Sequence, residues 1–184
     1  MHFEKTGEVY ESLRRIARRL DDLKIPYVVV GGMAVTLHGY NRFTEDVDLL
    51  VNREGLTLLH EKLEGLGYVP PFTGSKHLRD VENGVKIEFL VTGDYPGDGK
   101  PKPISFPEPS QVTVVIDGIR CIALHKLVEL KLASGSMPGR RKDLGDVQEI
   151  IRNLSLPLDF KNQIHLTVRD MFQELWLELH PPAE

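Results

Sequence analysis

Two aspartates separated by one residue, Asp46 and Asp48, are the strongest candidates for chemistry in this sequence. Residues 46–51 are otherwise rich in valine and leucine, which predicts a strand, and alternate side chains of a strand share one face. Two carboxylates on one face repel each other unless a cation lies between them. Their hard oxygen atoms suit Mg²⁺, with Mn²⁺ as an alternative. The pair therefore predicts a divalent metal site.

A third carboxylate, Glu88, interrupts an apolar run at residues 85–91. The run follows the turn pair Asn83-Gly84 and predicts the second strand of a hairpin. Burial of a lone carboxylate is costly, so Glu88 either faces solvent or is held by a metal or a basic partner. We favour the interpretation that a metal ion holds Glu88.

Gly31 and Gly32 follow a β-branched and aromatic run at residues 27–30, which predicts a short buried strand. A diglycine lets the backbone turn sharply and approach a ligand closely. The next residues have helical character, and the free N–H groups that begin a helix suit a phosphate.

Together these features resemble the nucleotidyltransferase superfamily, which has the polymerase-β-like fold. The resemblance rests on Gly31-Gly32, on Asp46 and Asp48 after thirteen intervening residues, and on Glu88 in a separate strand. In detail it is to a small prokaryotic branch. That branch includes abortive-infection-type toxin nucleotidyltransferases and nucleotidyltransferases that modify aminoglycosides or lincosamides.

The resemblance covers roughly residues 25–155, and residues 124–131 and 140–147 are similar to the helical segment of the same branch. The sequence departs from many relatives at one point. Those relatives place a serine directly after the first glycine, whereas Gly32 and Met33 stand here.

The predicted fold class is α+β, a mixed β-sheet with helices on one side, followed by a C-terminal helical segment. Residues 1–123 would form the catalytic core and residues 124–184 the helical segment packed on it. Its last helix is predicted over about residues 159–179, where apolar residues recur at helical spacing. A proline- and glycine-rich stretch at residues 92–110 is either a substrate-facing loop or a passive connector.

Composition limits the classes of protein to consider. With 184 residues and 41% hydrophobic content, the chain can build one sizeable core. Its formal net charge of −4 gives no overall attraction to nucleic acid. The single cysteine, Cys121, excludes an internal disulfide and fits a reducing cytoplasm. No apolar run approaches the ~18 residues of a membrane span, so we expect a cytoplasmic protein.

The resemblance implies a metal-dependent nucleotidyltransferase that moves a nucleoside monophosphate from a nucleoside triphosphate (NTP), such as ATP, to an acceptor hydroxyl or phosphate. The acceptor would be a small molecule, a protein or an RNA end. Asp46 and Asp48 would bridge two Mg²⁺ ions, and Glu88 would bind the first ion and orient or deprotonate the acceptor. Two alternatives remain open: an inactive nucleotide-binding or toxin–antitoxin partner module of the same fold, and a metal-dependent nuclease.

Further residues are expected beside the nucleotide. They are Gly31, Gly32, Arg42, Thr44, Lys131, Arg141 and Lys142. For each basic residue taken alone, a surface ion pair is an equal alternative. As partners we also expect an antitoxin and a second copy of the chain. The second copy would dock through the C-terminal helix that carries Trp176.

Overall fold

The computed structural model describes residues 2–183 and the side chains of residues 7–183. In this part of the chain there are six α-helices. They are α1 (His2–Asp22), α2 (Gly31–Leu37), α3 (Arg53–Leu63), α4 (Leu124–Gly135), α5 (Arg141–Asn153) and α6 (Arg169–Leu179).

Seven strands form one mixed sheet in the order β3-β4-β5-β2-β1-β7-β6. They are β1 (Tyr27–Val30), β2 (Val47–Val51), β3 (Tyr68–Val69), β4 (Leu78–Asp80), β5 (Lys86–Val91), β6 (Thr113–Ile116) and β7 (Ile119–Ile122). Strand β2 runs parallel to β5 and antiparallel to β1, and β1 runs parallel to β7. The predicted α+β class with a mixed sheet and a C-terminal helical segment is confirmed.

The centre of the sheet lies inside the core. Every residue of β1 is buried, so both faces of this strand are covered. Its β-branched side chains fit such a position because they pack well on a pleated surface. Helix α1 covers β2 and β7 with a stripe at helical spacing that includes Leu13, Ile16 and Leu20, none of them measurably exposed.

The helical segment packs on the core through one shared hydrophobic cluster, in which Val9 and Phe172 are both members. Helix α4 lies against α5, and α5 lies against α6. The division into residues 1–123 and 124–184 stays a prediction.

The long helix predicted over residues 159–179 is wrong. Two 3₁₀ segments, Leu158–Gln163 and Leu166–Val168, precede α6. Ile164 between them is extended, with φ −108° and ψ 163°. The N–H of His165 donates to the Glu129 carboxylate of α4 at 2.6 Å. This tertiary hydrogen bond replaces a helical one, which periodicity along the chain does not reveal.

Trp176 of α6 is engaged within its own chain. Its indole N–H donates to the Leu156 carbonyl at 2.9 Å, and its ring stacks on His180 with centroids 3.9 Å apart. The predicted homodimer therefore cannot rest on a free Trp176 side chain. Among residues 2–183, no helix combines the length and apolar character that a membrane crossing requires.

Candidate active site

The three predicted carboxylates line one cleft of about 960 Å³. Asp48 of β2 and Glu88 of β5 are direct neighbours in the parallel register of these strands. Asp46 lies one residue before β2, where the Thr44 hydroxyl donates to its backbone carbonyl at 3.2 Å. The predicted convergence of these residues on one site therefore agrees with the sheet register.

The charges of these carboxylates act on one another. Burial, and next the Glu88 charge, raise the pKa of Asp48 to about 7. The same two causes raise the pKa of Asp46. Burial would also raise the pKa of Glu88, but its hydrogen bond with Lys86, at 2.5 Å, holds that pKa below its ordinary value. The site thus concentrates negative charge. Lys86 and Lys131 offset it only in part at the two aspartates, whose pKa values stay raised, whereas the hydrogen bond from Lys86 is enough to lower the pKa of Glu88.

Across the described part of the chain, no three His, Cys, Asp or Glu side chains form a preassembled metal-binding group. Glu88 makes its ion pair with Lys86 instead. The chemistry of Asp46, Asp48 and Glu88 nevertheless fits a divalent ion. Carboxylate oxygens are the ligands that Mg²⁺ prefers, and a cation would relieve the repulsion that raises the pKa values of both aspartates.

Gly31 allows the Asp48 carboxylate to reach its position. The residue has φ +63°, and a Cβ atom there would lie 2.1 Å from Asp48 Oδ2. Any side chain would therefore displace this carboxylate, besides straining the backbone.

Gly32 lines the cleft, and two polar side chains lie close to it. A Cβ atom there would lie 3.0 Å from Thr44 Oγ1 and 3.2 Å from Arg42 Nη1. A larger side chain would first press on these two groups. The effect of such a change on a nucleotide would thus be exerted partly through Arg42.

Basic side chains on the cleft wall belong to an ion-pair network. Arg42 Nη1 lies 3.0 Å and Lys131 Nζ 2.8 Å from the same oxygen of Asp146, Oδ2. Lys131 also lies 3.4 Å from Asp143, whose other oxygen accepts from the Ser134 hydroxyl at 2.7 Å. The sequence did not single out these partners as site residues. Their signal is the i, i+3 spacing of Asp143 and Asp146 on α5.

The cluster of basic residues at the start of α5 divides in the structure. Arg140 and Lys142 line the cleft together with Arg42 and Lys131, whereas Arg141 does not. Of the predicted nucleotide-binding residues, all within the described part of the chain, only Arg141 lies outside the cleft lining.

The loop at residues 92–108 follows β5, the strand of Glu88, and forms part of the cleft lining. Residues 94–99 and Phe106 line the cleft. Two backbone hydrogen bonds close the loop, from Gly93 N–H to the Phe106 carbonyl and from Phe106 N–H to the Asp94 carbonyl, at 2.9 and 2.8 Å. Arg140 donates to the Gly97 carbonyl at 3.1 Å. The loop therefore faces the cleft and contacts the helical segment, as its substrate-facing interpretation requires.

A scan against models of protein families gives no match, and a search of curated proteins gives no significant match. Solved structures do match. An antigenic nucleotidyltransferase-like protein from Paracoccidioides brasiliensis superposes with a TM-score of 0.62 at 19% identity, covering 96% of this chain and 90% of that one.

Two further structures are similar. The antibiotic-resistance factor ANT(2'')-Ia has a TM-score of 0.57 at 13% identity, with 96% of this chain and 94% of that chain covered. A Thermotoga maritima protein proposed to be a nucleotidyltransferase has a TM-score of 0.54 at 18% identity, with 79% and 94% covered. Together with the sheet and cleft described above, these likenesses show that the chain has the nucleotidyltransferase fold.

Proposed function

We propose that this protein is a nucleotidyltransferase that moves a nucleoside monophosphate from an NTP to an acceptor hydroxyl or phosphate, with Mg²⁺ as cofactor. The observation that carries the proposal is the composition of one cleft. Asp46, Asp48 and Glu88 supply negative charge to its lining, and Arg42 and Lys131 supply positive charge to the same lining. A divalent cation needs the first kind of group and a triphosphate needs the second.

Each group has a defined part in this proposal. Mg²⁺ bound by Asp46, Asp48 and Glu88 would neutralise charge on the reacting and leaving oxygens. The low pKa of Glu88 keeps its carboxylate ionised near neutral pH, as needed to orient an acceptor hydroxyl or accept its proton. Arg42 and Lys131 would contact the triphosphate.

The acceptor is a small molecule, a protein or an RNA end. One similar structure, of ANT(2'')-Ia at 13% identity and a TM-score of 0.54, holds adenylyl-2''-tobramycin. It favours a small-molecule acceptor as the first class to test. A cytoplasmic location, a homodimer and an antitoxin partner stay predictions.

The test is transfer of label from each of four α-labelled NTPs with Mg²⁺, using a cell extract and then its small-molecule, protein and RNA fractions. We expect the parent and the control variant Asp22→Asn, changed at an exposed position, to label one fraction. Asp48→Asn should label none.

Other outcomes point to the alternatives. Stabilisation of the parent by Mg²⁺–NTP without any labelled product would favour the inactive nucleotide-binding module. Cleavage of a labelled oligonucleotide, abolished by Asp48→Asn and without transfer, would favour a nuclease.

A further inference from the structure

Asp146 of α5 pairs with two basic residues from different elements of the fold. Its Oδ2 atom lies within ion-pair distance of both Arg42, just before β2, and Lys131, on α4. All three side chains are largely buried, with Lys131 only 8% and Asp146 only 9% exposed. The loss of such a shared partner would leave two cations without their common counter-charge.

Asp146 differs from its partners in its relation to the cleft. Arg42 and Lys131 line the cleft, whereas Asp146 does not. The cations thus lie at the cleft surface and the carboxylate behind them. A carboxylate in that position does not itself meet a triphosphate, but it fixes the groups that would.

Neighbouring residues restrict the same groups. The backbone carbonyl of Arg42 accepts from the Thr36 hydroxyl at 3.3 Å, and its Nη1 atom lies 3.2 Å from the position that a Cβ atom at Gly32 would take. Lys131 has Asp143 as a second partner at 3.4 Å, a longer contact than the 2.8 Å to Asp146. Asp146 is therefore the one group in this network that contacts both cations.

We propose that Asp146 is a positioning residue for nucleotide binding, which holds Arg42 of the core and Lys131 of the helical segment in place for the triphosphate. The inference rests on the proposed function and adds a residue that does not touch the substrate. Its physical basis is geometric: long basic side chains lose conformational freedom on binding, and an anchor restricts them beforehand.

The experiment measures the dissociation constant for each of the four NTPs with Mg²⁺, by titration of the parent and of three variants. Asp146→Asn keeps the shape of the side chain but removes its charge, and we expect about a tenfold weaker complex. Asp146→Glu keeps the charge, moves the carboxylate by one methylene group, and should also bind several-fold more weakly.

The matched control is Glu149→Gln on the same helix. Glu149 pairs with Arg152 at 2.6 Å, away from the network, so its removal should change the dissociation constant less than twofold. Because Asp146→Glu retains the buried negative charge, it provides the measurement if Asp146→Asn does not fold.

A double-mutant cycle separates positioning from a general loss of stability. If Asp146 acts through Arg42, Asp146→Asn should weaken NTP binding less in an Arg42→Gln background than in the parent. Parent-like affinity in folded Asp146→Asn or Asp146→Glu protein, or strict additivity in the cycle, would overturn the inference alone. A parent that binds no NTP would refute the proposed function and the inference with it.

Discussion

Asp80 and Asp48 are both aspartates of the same sheet with little access to solvent, yet their surroundings are opposite. Asp80 in β4 accepts hydrogen bonds from the Ser12 hydroxyl at 2.7 Å, from Arg15 at 2.8 Å and from the Glu82 N–H at 3.0 Å. Burial would raise its pKa, but these bonds hold it below the ordinary value.

The pKa of Asp48 shifts the other way. Burial raises it, and the carboxylates of Glu88 and Asp46 raise it further instead of opposing burial. A buried carboxylate that accepts hydrogen bonds from donors within the protein stabilises the fold without a ligand. A buried carboxylate beside other carboxylates destabilises the ligand-free fold, and only a bound cation balances its charge. The difference separates a structural aspartate from a candidate catalytic one without reference to any relative.

The largest effect is expected for the variant Asp48→Asn, which removes the charge of the candidate catalytic aspartate. Several kcal/mol of charge stabilisation should be lost from the transition state, on the order of a 10³-fold fall in nucleotidyl transfer. The metal-free variant should melt no lower than the parent, because it loses a repelling charge. Melting curves with and without Mg²⁺–NTP, beside the labelling assay, measure both. Equal ligand-induced shifts in parent and variant would place the metal elsewhere.

Asp80→Ala should have the opposite pattern. The change leaves Arg15 and Ser12 without their buried acceptor, and we expect a loss of about 2–3 kcal/mol in the free energy of unfolding. The lower figure is preferred because the Arg15 side chain is 32% exposed and solvent screens part of the pair. Urea denaturation measures the loss. Transfer per folded molecule should stay near the parent level, and a loss of transfer larger than the loss of folded protein would contradict a structural role.

Sequence reasoning found Asp48 more easily than Asp80, and the reason is physical. The strand and diglycine around Asp48 are local patterns of side-chain size and backbone freedom. The side-chain partners of Asp80, Ser12 and Arg15, lie 68 and 65 residues away, and no local pattern encodes them. The neighbouring positions of Asp48 and Glu88 depend on the parallel pairing of β2 with β5, which no local pattern encodes.

The same limit applies to the basic residues of the cleft. Lys131 and Arg42 were predicted to lie beside the nucleotide, and Asp146 could be a partner of such bases or a helix N-terminal acid. The sequence does not decide between these roles, because packing of α5 on α4 determines which acid pairs with which base. The break at Ile164 likewise depends on a tertiary hydrogen bond. Contacts between distant elements are thus what the sequence alone left undetermined.

The pH dependence of stability should differ between the two aspartates. In the unfolded chain both titrate near 3.8. Folded Asp48 keeps its proton up to about pH 7, so the metal-free protein should lose stability as pH rises from about 4 to about 7. The lowered pKa of Asp80 gives stability that is present above pH 3.8 and is lost as pH falls below that value.

Urea denaturation across this pH range, with a chelator present, measures how the free energy of unfolding changes with pH in both regions. His77, whose pKa is lowered by burial, also contributes to the pH dependence, so the parent is compared with Asp48→Asn. The variant should show a smaller loss between about pH 4 and 7, because Asp46, whose pKa is also raised, still contributes there, and it should retain the acid-side loss. An identical profile for the two proteins would contradict the assigned environment of Asp48.

The smallest expected effect comes from Lys86→Met. This variant tests how far Lys86 already neutralises the negative charge of the candidate catalytic site. Lys86 and Glu88 form an ion pair whose side chains are 34% and 32% exposed, so its loss should change the free energy of unfolding by less than about 1 kcal/mol. Lys86 also competes with any cation for the Glu88 oxygen. Its removal should therefore tighten Mg²⁺ binding by about three- to tenfold.

Calorimetric titration of Mg²⁺ measures this change, and Lys62→Met, altered at an exposed position on α3, controls for the general loss of one positive charge. Tighter Mg²⁺ binding in Lys86→Met but not in Lys62→Met would place the cation at Glu88. Equal changes in both variants would mean that the effect comes only from the loss of one positive charge from the protein. Weaker binding in Lys86→Met alone would mean that Lys86 orients Glu88 for the metal rather than competing with it, so that the carboxylate site is held in place by a basic partner much as Asp80 is.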